Sequence, residues 1–113
     1  FCTALGKAML AYRMEEFDFG KINFKKFTEK TILTIEDLKQ NLEDVKKNGF
    51  AVDNREIKDY MLCISAPIFD VNGKTNYAIS VSSLYEDVDI ENTAKKVVEA
   101  ANTITRKSKY LIK

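Results

Sequence analysis

The stretch CISAPIFDVNGKTNYAISVSS, residues 63–83, constrains the fold most. Asn72-Gly73 lies between two alternating runs, the strongest short hairpin signal, and predicts strands over 60–70 and 74–83. With a two-residue turn, Val71 faces Lys74. Further out Ile68 meets Tyr77, Ala66 meets Ile79, Ser65 meets Ser80, Ile64 meets Val81 and Cys63 meets Ser82. Side chains alternate between the faces of a strand. One face therefore collects Ile64, Ala66, Ile68, Tyr77, Ile79 and Val81, and is predicted to be core. The other collects Cys63, Ser65, Ser80 and Ser82 at the open end. Pro67 has no N–H to donate, so its strand is predicted to have an edge or a bulge there.

Helices flank this hairpin in the sequence. TALGKAMLAY, residues 3–12, places Ala4, Leu5, Ala8, Met9 and Tyr12 on one face, with Thr3 as N-cap. TIEDLKQNLEDVKKNG, residues 34–49, is the clearest helix. It has Thr34 and Asp37 at capping-box spacing, an Ile35, Leu38, Leu42 and Val45 stripe, charges that suit the helix dipole, and Gly49 to end it. Phe17, Phe19, Phe24 and Phe27 are predicted to anchor an irregular connection between these helices. A short strand is expected at Phe50–Asp53 and a polar loop at 54–59. A long helix is predicted from about Ile90 to Lys109, burying Ile90, Ala94, Val97, Val98, Ala101 and Ile104. A hairpin among helices points to an α+β domain with a largely antiparallel sheet.

The 113 residues suffice for one core, and 45% hydrophobic with 31% charged residues is ordinary for a soluble globular domain. Eighteen Lys and Arg against 17 Asp and Glu leave a net charge of +1, without the basic stripe of a nucleic-acid binder. The Lys-rich pieces KINFKK and RKSKYLIK read as solvated faces. No apolar run approaches the ~20 residues of a membrane span. Two distant cysteines, Cys2 and Cys63, imply no disulfide framework, and the expected compartment is the cytoplasm. There is no histidine, no phosphate-binding glycine loop and too few thiols for a zinc site. No catalytic residue, metal or cofactor is predicted, and an enzyme is disfavoured.

Two readings of the Cys63, Ser65, Ser80 and Ser82 face stay open on these residues alone. One is a solvated sheet face. The other is the floor of a small-molecule pocket, since short side chains leave space and hydroxyls supply donors and acceptors. The start of the first helix could supply backbone N–H groups to an anion, while Lys7 reads as exposed.

The ordered set CTALGKAMLAY, T-x4-D-L…L-x2-V-x3-G-F-A-x-D and C-I-S-A-P-I-F-D-x2-G-x5-AISVS resembles the effector-binding domain of IclR-type transcriptional regulators over almost the whole chain. The resemblance implies a GAF-like α+β domain with a curved, largely antiparallel sheet flanked by helices. It implies that residues 1–113 are the C-terminal part of that domain, its earlier helix and strands preceding Phe1. It further implies a small-molecule effector, often an organic acid, a homo-oligomer (dimer or tetramer), and DNA contact only through a separate winged helix-turn-helix domain. Carried over motif by motif, the effector contacts are Ala4, Leu5 and Gly6 at the helix start, Asp53, Met61 and Cys63, and the two serines Ser80 and Ser82.

The sequence departs from the family pattern at Tyr60, where glycine is usual, at Asn54 and Arg55 in a typically acidic stretch, and at Ser83. Tyr60 bears on the size of the pocket. Two alternatives differ in class: an oligomerisation module with a vestigial pocket, and an enzyme using Cys63 as nucleophile, which would need a base other than histidine.

Overall fold

The hairpin forms, with a longer turn than the two-residue reading. In a computed structural model describing residues 3–84 and 88–111, Asp70 N–H donates to the Lys74 carbonyl and Gly73 N–H to the Asp70 carbonyl. Three residues, Val71, Asn72 and Gly73, therefore make the loop. Gly73 takes a left-handed φ of 78° that favours glycine. The register then shifts by one residue, Phe69 pairing with Thr75 but Ile68 with Tyr77, so Asn76 is extra. The longer loop and the bulge offset each other. Beyond them the pairs are those derived above: Ala66 with Ile79, Ser65 with Ser80, Ile64 with Val81, Cys63 with Ser82.

The described elements are α1 (Ala4–Leu10), α2 (Ile35–Asn48), β1 (Ala51–Asn54), β2 (Met61–Phe69), β3 (Thr75–Leu84) and α3 (Ile90–Leu111), with two short 3-10 turns after α1. The strands form an antiparallel sheet in the order β1-β2-β3. This is the expected α+β architecture. β1 pairs with β2 only as far as Ala51 opposite Ser65. Pro67 lies past that point and the bulge lies just beyond it, so its missing N–H breaks no β1–β2 bond.

Two cores lie on opposite faces of the sheet. On one, α1 and α2 bury Ala4, Ala8, Ala11, Leu38, Leu42 and Val45 against Ala51, with Cys63 and Ala78 at the margin. On the other, α3 sets Ala94, Val97 and Ala101 on Leu62, Ile64 and Ala66. α2 forms as its caps predict: Thr34 Oγ1 accepts the Asp37 N–H at 3.1 Å, and Gly49 closes the helix with a φ of 83°.

The buried stripe of α1 is Ala4, Lys7, Ala8 and Ala11, at i, i+3, i+4 and i+7, whereas Leu5 is exposed. This corrects the predicted face, and it corrects the exposed Lys7: that side chain is wholly buried. The predicted core face of the hairpin is also only half core. Tyr77 is 69% exposed and Val81 42%, because α3 packs chiefly along β2. Ile104, predicted to be buried, is also exposed. Of the phenylalanine anchors, Phe19 and Phe24 pack on the α1–α2 core, and Phe17 and Phe27 lie largely at the surface.

Lys21, Lys25, Lys26, Arg106 and Lys107 are exposed, and the end of RKSKYLIK, like Cys2, lies outside the described side chains. Among the described residues no helix is long and apolar enough to cross a membrane, and no His, Cys, Asp and Glu cluster is placed to hold a metal.

Candidate functional site

The polar face of the hairpin divides in two. Ser65 is fully buried under α1, and its hydroxyl donates to the Ile79 carbonyl at 3.0 Å. It serves the close approach of an alanine-faced helix to the sheet. Nearer the open end, α1 no longer covers the strands and a cleft of about 370 Å³ remains, within the size range of small-molecule sites.

Its walls come from five places. Thr3, Ala4 and Leu5 arrive at the start of α1, Asp53 from β1, and Ile57 and Lys58 from the turn after it. Met61 and Cys63 come from β2, and Ser80 and Ser82 from β3. Of the effector contacts carried over from the resemblance, all but Gly6 line this cleft. Gly6 lies instead along a hollow on the outer side of α1, with Met9, Leu10 and Phe17. Its N–H is already taken by the Thr3 hydroxyl at 3.0 Å, so the anion contact imagined for it is not available.

Tyr60 is 56% exposed and does not line the cleft; the Lys58 ammonium lies 6.0 Å from its ring centre. Tyr60 therefore leaves the cleft open. A larger hollow, about 600 Å³, lies between the Ala11–Phe17 segment and α2. It is lined by exposed charges of both signs, and of its lining residues only Ala11 is buried.

Inside the cleft, Cys63 Sγ and Ser82 Oγ lie 3.2 Å apart, a contact in which either can donate. Asp53 is 6% exposed, and its Oδ1 accepts the Glu56 N–H at 2.8 Å. Burial raises the Asp53 carboxyl above its usual range, against the opposing effects of that hydrogen bond and the Lys7 charge. A raised value means that the folded chain holds this proton more tightly than the unfolded chain does. The stability this group contributes is thus fully present below the ordinary carboxylate range and falls as pH rises through the folded value. Asp53→Asn is therefore expected to gain on wild type as pH rises from about 3 to 7, read by urea denaturation. A difference that stays constant with pH would contradict this.

Sequence reasoning missed Thr3 as a wall, Ile57, Lys58, and the pair behind the cleft, Lys7 and Glu56. Lys7 had a signal, because it falls on the stripe of Ala4, Ala8 and Ala11. Glu56 had none, since a turn has no periodicity.

The protein family described as bacterial transcriptional regulator IclR C-terminal matches residues 1–107. An uncharacterized HTH-type transcriptional regulator of Haemophilus influenzae is 38% identical over 75% of this chain and 34% of its own length. The HTH-type transcriptional regulator KdgR of Escherichia coli is 34% identical over 73% of this chain and 32% of its own. The chain thus spans about a third of these relatives. The crystal structure of Thermotoga maritima IclR superposes with a TM-score of 0.85 at 32% identity, covering 97% of this chain and 47% of that one. The inducer-binding domain of PobR from Acinetobacter, solved as a double mutant with 3-hydroxybenzoic acid, shares the fold. Its TM-score is 0.80 at 19% identity, covering 98% of this chain and 65% of that one.

Proposed function

The chain belongs to the IclR family of bacterial transcriptional regulators, and on that footing we propose that its cleft binds a small-molecule effector, specifically a small hydroxylated carboxylic acid. The observation that carries this reading is the meeting in one cleft of a buried carboxylate, a thiol and two hydroxyls from three different strands. Ser80 and Ser82 offer hydroxyls to the effector's carboxylate, and Lys58 lines the same cleft. Asp53, whose other oxygen is engaged by Glu56, takes a hydroxyl donor. Leu5, Ile57 and Met61 supply apolar contact. The hydroxylated acid bound by PobR has this combination of groups.

The effector acts by binding one arrangement of the regulator better than another, and so biases DNA affinity. The same reading includes a homo-oligomer, dimer or tetramer, and DNA contact through a domain outside these 113 residues. The relatives are named as transcriptional regulators, which accords with a binding rather than a catalytic role for Cys63.

Titration calorimetry with paired acids tests it: 3-hydroxybenzoate against benzoate, and lactate against propionate. At least one hydroxy acid should bind more tightly than its partner. Ser80→Ala combined with Ser82→Ala should weaken it about a hundredfold, through loss of two hydrogen bonds to a charged group. Binding that is indifferent to both serines, or no saturable binding by any of the four, counts against the reading.

A further inference from the structure

A second polar cluster sits behind the cleft and does not line it. Lys7 Nζ donates to Glu56 Oε2 at 2.6 Å and to the Val52 carbonyl at 3.1 Å. Glu56, 5% exposed, also accepts the Asn54 N–H at 3.2 Å through the same oxygen, and its own N–H holds Asp53. The turn around it is held from a third side. Arg55 has a left-handed φ of 59°, unusual for a residue with a Cβ, and its carbonyl accepts the Thr28 hydroxyl at 2.6 Å. The Thr31 hydroxyl donates to the Glu56 carbonyl.

A buried ion pair is a poor device for stability alone, since a well-packed apolar pair commonly does as well or better. Here Glu56 Oε1 is buried without a hydrogen-bond partner among the described residues, which makes the pair costlier still. Its placement points to geometry. Lys7 stands on α1, which brings Thr3, Ala4 and Leu5 to the cleft, and Glu56 stands in the turn that brings Asp53, Ile57 and Lys58. The pair joins these two walls across 49 residues of chain.

We propose that Lys7 and Glu56 are positioning residues of the effector cleft, a buried tie that sets its two walls relative to each other and fixes the Asp53 carboxylate. The role as an effector tie rests on the reading of the cleft given above. The geometry of the tie can be tested without an effector.

In a Cys2→Ser background, iodoacetamide labels Cys63, and hydrogen exchange reports the Glu56 amide. Lys7→Met is expected to speed labelling about tenfold and to deprotect that amide, as local opening of one wall requires. Val45→Ala, which opens the core behind α2, serves as a control for destabilisation by itself, its stability loss measured by urea denaturation. It should leave both readings near wild type. Glu56→Gln keeps a carbonyl for Lys7 and should fall between, and it carries the test if Lys7→Met fails to fold. Labelling at the wild-type rate in Lys7→Met, or in Glu56→Gln when that variant alone folds, overturns the tie. So does an equal rise in Val45→Ala. If labelling behaves as expected while none of the four acids binds, the tie stands and the effector reading fails.

Discussion

Lys7→Met is expected to destabilise the fold by about 3–5 kcal/mol at neutral pH, the range for breaking a buried ion pair by removing one partner. The magnitude follows from what remains. Glu56 is buried, one of its oxygens already lacks a partner among the described residues, and Lys7 is its countercharge. Burial raises the Glu56 carboxyl, and the charge and hydrogen bond of Lys7 oppose that rise. Without Lys7 the carboxyl rises further, and folding must either bury a bare charge or take up a proton. The deficit of Lys7→Met should therefore shrink as pH falls, because protonation removes the buried charge. Lys7→Met combined with Glu56→Leu should recover most of the loss, since neither charge then remains. Urea denaturation of the single and double variants at two pH values decides it. A loss below about 1 kcal/mol, with no pH dependence, would mean that the pair is not buried as described.

Leu42→Ala is expected to cost about 2–5 kcal/mol. Leu42 is fully buried among Leu38, Val45 and the alanine face of α1. The alanines have little side chain to swing into the space, so the cavity would persist. The same packing holds α1 at its distance from the sheet, and the cleft begins where that packing ends. Urea denaturation should therefore show a lower midpoint with an unchanged slope. A loss under 1 kcal/mol would indicate that α2 moves in to fill the gap, and that the α1–α2 core is softer than described.

The elements with a period were legible in the sequence. α2 follows from its caps and its apolar stripe, and the hairpin register from alternation about Asn72-Gly73. The turn was misread because Asn-Gly fits both a two-residue loop and a three-residue loop with a bulge. The register survived because one extra loop residue is offset by one extra strand residue at Asn76.

Burial was less legible where it depends on neighbours. Tyr77 and Val81 alternate like core residues, but α3 covers β2 and leaves them exposed. Ser65 shares a face with Ser80, yet α1 buries it outside the cleft. Lys7 defeats a hydropathy reading, since a charged residue occupies a helical core position only because Glu56 meets it from a turn 49 residues away. For the cleft itself, the face assignment already separated Cys63, Ser80 and Ser82 from the apolar residues. Joining Ala4, Leu5, Asp53 and Met61 to them needed the family resemblance, because nothing local in the sequence relates them. Ile57 and Lys58 came from neither source. They reach the cleft through the backbone course that Glu56 imposes on the turn.

Titration of the isotopically labelled chain with 3-hydroxybenzoate and, separately, with lactate, followed residue by residue by amide NMR, tests the central claim most directly. Saturable shifts concentrated at Leu5, Asp53, Lys58, Cys63, Ser80 and Ser82, and abolished in Ser80→Ala with Ser82→Ala, are the predicted result. Shifts that gather instead around Arg13, Glu16 and Lys46, or a spectrum that neither acid changes, would contradict it.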